Sequence, residues 1–133
     1  MKMSDIIQGL LKEEEDCQRK CQEIAERNGV SQFELNMSDT KQVKSAAEQW
    51  VEGRKVEEYL KQFDLDTLRK VEALVYLGRD GGTYQHQCAN INRLNQSKDA
   101  AANTIASKGE CLKSYLDSAI EALRGEGKNI NEL

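Results

Sequence analysis

The chain is predicted to fold as an all-α, compact single-domain bundle of five to seven helices around one short central helix at about residues 65–77. Three observations carry that expectation. Proline is absent from 133 residues, where typical usage would give about six or seven, and proline is the residue that most interrupts helices. Apolar side chains recur at three- and four-residue spacing through much of the chain, the period of a helix with one buried face. The densest apolar run, Ala73-Leu74-Val75-Tyr76-Leu77, lies between a start and a stop signal. A helix apolar on several sides needs several neighbours.

A chain of 133 residues can bury one core without metals or disulfides. Its charged fraction of 32% still leaves enough periodically spaced Leu, Ile and Val to exclude wholesale disorder. The net charge of -4 supplies no long-range field toward nucleic acid or anionic lipid. No segment approaches the roughly 20 apolar residues of a membrane span, and no charged start precedes an apolar secretion signal. A cytoplasmic protein is therefore expected, with no membrane partner, no cofactor and four free thiols.

Taken in order, Ser4 is the expected N-cap of a first helix that reaches Asn28 and stops at Gly29. Its stripe is Ile7, Leu10, Leu11, Cys17, Cys21 and Ile24, interrupted by Glu14. Glu15 with Arg19, Asp16 with Lys20, and Glu23 with Arg27 have the spacing of helical ion pairs. Ser31 with Glu34 has capping-box spacing, and Val30 with Leu35 that of a hydrophobic staple. A longer helix starts near Ser38 or Asp39 with Val43, Ala46, Ala47, Trp50 and Val51 inward. Beyond Gly53 the apolar residues Val56, Tyr59, Leu60 and Phe63 move to the opposite side, so a break at Gly53 is expected.

Asp64 caps the central helix, Phe63 and Leu68 form its staple, and Gly78 is expected to close it before Gly81-Gly82. Thr83 caps the next helix, which runs to about Asn95 with Tyr84, Cys88, Ile91 and Leu94 inward. A short alanine-rich helix follows Ser97. Ser107 and Glu110 then form a second capping-box pattern. The last helix carries Cys111, Leu112, Tyr115, Leu116, Ala119, Ile120 and Leu123 on one stripe and ends at Gly125. Residues 1–125 thus form the domain, and 126–133 are expected to fray.

The run Val71-Glu72-Ala73-Leu74-Val75-Tyr76-Leu77-Gly78-Arg79-Asp80 resembles the core motif of a small uncharacterised bacterial all-helical family. In that family an alanine-leucine-x-aromatic-leucine-glycine-arginine run ends a helix and a tyrosine-leucine helix closes the domain, as Tyr115-Leu116-Asp117 would here. The resemblance covers about 63–123. It implies a helical domain and carries over no chemistry.

Three constellations bear on chemistry or nucleic-acid binding. Cys17 and Cys21 lie one turn apart and, with Cys88, Cys111 and His86, supply the residue types of a structural zinc site; without a CxxC pair, buried apolar thiols are the preferred reading. The segment 24–35 resembles a degenerate helix-turn-helix, with Gln32 as a base contact, but Glu34 and Asp39 oppose DNA. Arg79, Asp80 and His86 flank the central turn, yet no nucleophile or carboxylate pair accompanies them. Arg79 is expected over the helix's last carbonyls and His86 in the exposed first turn of the next helix.

Trp50 and Tyr59 are read as core side chains, with either becoming the contact anchor if exposed. The expected function is a non-catalytic cytoplasmic interaction protein with an unidentified protein partner. Homodimerisation through the first helix's stripe is included in that expectation. A DNA-associated regulator and a structural zinc protein are the alternatives.

Overall fold

The structure, a computed structural model, describes residues 1–30 and 39–133. Among them the chain forms six α-helices and no strand: α1 (Met3–Asn28), α2 (Thr40–Lys61), α3 (Leu65–Asp80), α4 (Tyr84–Leu94), α5 (Lys98–Ala106) and α6 (Cys111–Gly125). A 3-10 turn, Ile130–Glu132, follows. The expected all-helical architecture is what the chain builds, and none of these helices is long and apolar enough to cross a membrane.

Helix α3 starts where its cap places it, with Asp64 accepting from the Thr67 N–H at 2.8 Å. Leu68, Val71, Ala73, Leu74, Val75 and Leu77 are all buried, because α4, α5 and α6 all pack against the helix. The expected stop at Gly78 is corrected. The helix continues to Asp80, and Gly81, at φ 79°, takes the terminal position. Gly78 instead sits where a Cβ would overlap the backbone carbonyl oxygen of Tyr115. The missing side chain lets α3 and α6 meet backbone to backbone.

Helix α1 packs along α2, and α2 in turn rests on α5. The expected break at Gly53 does not occur, since α2 is one helix of 22 residues capped by the Asp39 side chain. The reason lies in which residues face inward. Ser45, Gln49, Glu52, Val56 and Leu60 recur at intervals of three and four, so they form one continuous face of an unbroken helix. Its first half meets α1 through polar side chains, which an apolar-only reading cannot see.

Three further expectations change for local reasons. Lys2, not Ser4, holds the N-cap position of α1, without a side-chain bond; the Ser4 N–H is satisfied by Asn131 Oδ1 at 2.9 Å. That bond belongs to the tail expected to fray. Ile130 and Leu133 pack on the core, and Lys70 Nζ donates to the Leu133 carbonyl at 3.0 Å. The capping box at Ser107 and Glu110 does not form, because Ser107 Oγ donates back to Thr104 O at 2.7 Å. Glu110 precedes α6 with no side-chain bond.

Asp39, Thr83 and Ser97 cap their helices as expected. Gly29 closes α1 in the left-handed conformation, with the Val30 N–H reaching back to Ala25 O at 3.0 Å. The capping box and staple at Ser31, Glu34 and Leu35 lie outside the described residues. All helices contribute to a single apolar cluster, which fixes α2 at one flank of the molecule with its outer side bare.

Candidate interaction surface on helix α2

The inward face of α2 is chemically mixed. Ser45 is buried and accepts from Gln49 Nε2 at 2.9 Å, while Gln49 O faces the Cys21 thiol at 3.8 Å. Glu48 pairs with Arg27, and Glu52 lies 2.8 Å from Lys55 and 4.0 Å from Lys20. The acidic and basic residues of α1 therefore work partly across the seam. Arg19 pairs with Asp16 at 3.2 Å, and the pairs expected for Lys20 and Arg27 within α1 are replaced by partners on α2. Lower down, the Tyr59 hydroxyl donates to Ile6 O at 2.9 Å.

Because polar groups occupy this seam, three of the five apolar residues expected inward point outward, while Val43 and Ala46 are half-buried. Trp50 is 64% exposed and Val51 54%, and Ala47 is exposed beside them. The Arg54 guanidinium lies 5.1 Å from the Trp50 ring centroid, close enough for a cation–π contact that orders the indole. Scattered apolar side chains are ordinary on any surface. A tryptophan grouped on one helix face with valine, alanine and a stacked arginine has the composition of a contact centre instead.

The other candidate residues are not drawn together. Tyr59, tied to α1 and packed edge to face on Phe63 at 5.4 Å, is a structural side chain rather than a contact anchor. Arg79 does not cover the α3 carbonyls. It forms two bonds to Asp80, at 2.9 and 3.1 Å, and lies 4.6 Å over the Tyr76 ring, which Lys108 also approaches at 5.1 Å. His86 is exposed, and its N–H donates to the Thr83 cap at 3.1 Å.

The cysteines are dispersed. Cys17 and Cys21 are buried with sulfurs 4.0 Å apart, Cys88 is half-buried on α4, and Cys111 is exposed at the start of α6. Burial, with the neighbouring Cys21 sulfur adding to it, pushes the Cys17 thiol up to about 12. It stays protonated at neutral pH, which disfavours nucleophilic attack or metal ligation. Among the described residues no group of three or more His, Cys, Asp or Glu side chains is placed to hold a metal ion. The helix-turn-helix residues Gln32 and Glu34 lie outside the described residues.

Two carboxylates are buried: Glu14, which interrupts the α1 stripe, and Glu72, inside the apolar run of α3. Glu72 on α3 is 1% exposed. Desolvation raises its pKa to about 7, against the opposing pull of Lys108 and Arg69. The Gln96 amide, turned with its nitrogen inward, donates to both carboxylate oxygens at 3.1 Å. Glu14 is 6% exposed and accepts from Gln18 Nε2 at 2.7 Å; desolvation and nearby Glu110 raise its pKa. Glu14 shares a surface pocket with Glu15, Glu110, Lys12 and Lys113, while Glu72 lies near Lys108 and Arg69; each buried carboxylate is read as a costly structural group. Only their place in an apolar stripe signals them.

Comparisons with family models, with curated proteins and with solved structures find no match to this chain. The functional reading therefore rests on the side chains and their placement.

Proposed function

We propose that this chain is a non-catalytic interaction protein of the cytoplasm that engages a protein partner through the outer face of α2, with Trp50 as the anchor. One observation carries this reading: α2 buries Ser45 while Trp50, Val51 and Ala47 remain in solvent. Hydrophobic burial disfavours that arrangement unless something else covers the apolar side. Fully covering a large apolar side chain returns about 1.5–3 kcal/mol, and tryptophan and arginine dominate contact energetics more often than other residues. Arg79, Asp80 and His86 lie on other elements and are not needed for this contact.

The test is cross-linking and affinity capture with the wild-type chain, Trp50→Ala and the control Leu94→Ala. Leu94 is also exposed, at 57%, but stands apart from the α2 face. Loss of the cross-linked species in Trp50→Ala alone supports the reading. Equal capture by all three chains contradicts it.

A further inference from the structure

We propose that the partner of this surface is a second copy of the chain, docked as an antiparallel pair of α2 helices about a two-fold axis at Val51. The inference rests on the outer face of α2 being a contact surface and adds what covers it. A two-fold interface must be complementary to itself, so every charge needs an opposite charge at the mirrored position on the same helix. On the exposed stripe through Val51, α2 meets that requirement with Lys44 and Glu58. Val51 lies midway between Lys44 and Glu58, seven residues from each, and a seven-residue step returns to nearly the same face of a helix.

All three side chains are exposed. Among the described residues Lys44 has no ion-pair partner, and Glu58 approaches only Lys61, at 3.9 Å. In an antiparallel pair centred on Val51, residues equally far from the axis in opposite directions face each other. Lys44 then meets Glu58 of the second copy, twice, while the two Val51 side chains meet at the axis. A parallel pair would set Lys44 against Lys44 and Glu58 against Glu58, which like charges oppose. The charge order along α2 therefore selects the antiparallel arrangement.

Space for the second helix is present as well. Val51 lines a shallow groove between α1 and α2 with Ile24, the cations Lys20 and Arg27 and the carboxylates Glu23, Glu48 and Glu52, and Trp50 is exposed on the other side of Val51. A helix of 22 residues spans about 33 Å, and one large anchor per copy falls short of the roughly 800 Å² per partner of a standard stable interface. The dimer is thus weak and reversible.

Sedimentation of the full chain over a concentration series decides it. Lys44→Glu and Glu58→Lys each place two like-charge contacts at the interface, so each is expected to raise the dimer Kd roughly tenfold. An equimolar mixture of the two variants regains the wild-type Kd, because each copy then supplies the charge that the other lacks. A wild-type chain that stays monomeric at high concentration overturns the proposal. So do single variants that dimerise as well as wild type, or a mixture that fails to recover.

The two levels of inference separate cleanly. If the chain is monomeric while Trp50→Ala still loses its cross-linked species, the second copy is wrong and the α2 surface stands. If a dimer forms and neither Trp50→Ala nor the charge variants change it, both are wrong. Circular dichroism of each variant confirms that the helices persist.

Discussion

Two helix pairs in this molecule meet in opposite ways. Helices α3 and α6 approach until only a glycine fits between their backbones, with Leu74, Leu77, Leu112, Leu116 and Ala119 buried on the two helices. Helices α1 and α2 meet over much of their length through a thiol, an amide, a tyrosine hydroxyl and ion pairs. Apolar residues left over from that second seam stand in water. The close crossing holds its energy in exact volume, while the polar seam holds a helix in place and leaves its apolar side chains for another use.

The difference breaks most sharply at Gly78. Gly78→Ala is expected to destabilise by about 3 kcal/mol or more, because the new methyl forces the α3 and α6 backbones apart. Urea unfolding checks it as a fall in midpoint at unchanged slope. A change below about 0.5 kcal/mol would mean that the helices do not touch there.

Next in size is Glu72, whose carboxyl binds its proton more tightly in the folded chain than in the unfolded one. Between the ordinary value of 4.5 and about 7 the native state holds the extra proton, so stability falls as pH rises through that window. The loss is at most about 3 kcal/mol. Glu72→Gln should remove it. The variant gains on wild type as pH rises from 4.5 to 8, and a difference that stays constant across the series contradicts the burial of this carboxylate.

Gly53 gives a smaller effect of the opposite sign. It lies inside the unbroken α2 with nothing near its Cβ position, so Gly53→Ala is expected to stabilise by about 0.5–1 kcal/mol. A loss of stability would restore the break that the apolar pattern alone suggests. Trp50→Ala should change stability least, by less than about 0.5 kcal/mol, since the indole packs on little besides Arg54. A loss of several times that amount would place Trp50 in the core.

The same comparison shows what can be read from the letters. The α3–α6 half was legible because its stripes are apolar and its caps explicit: Asp64, Thr83 and Ser97 all bond as their positions imply. Gly78 was misread as a terminator because a glycine after a leucine run looks identical whether it ends a helix or admits another backbone. The α1–α2 half was harder. Ser45, Gln49 and Glu52 carry no apolar signal, so the apolar pattern alone turns Trp50 and Val51 inward and places a break at Gly53.

The free first-helix stripe expected to drive self-association is also corrected. Ile7, Leu10, Cys17, Cys21 and Ile24 are buried within the chain itself, and Leu11 is partly buried against its core. What could have been noticed is the seven-residue relation of Lys44, Val51 and Glu58, which only becomes informative once that face is known to be outside.

Because Trp50 is the only tryptophan, its fluorescence reports on the α2 surface without a label. In dilute solution its emission should match that of indole in water and be quenched freely by acrylamide. Raising the concentration should shift it to the blue and protect it, and Lys44→Glu should delay that shift to higher concentration. Emission already blue and shielded at the lowest concentration would put Trp50 in the core and contradict the account.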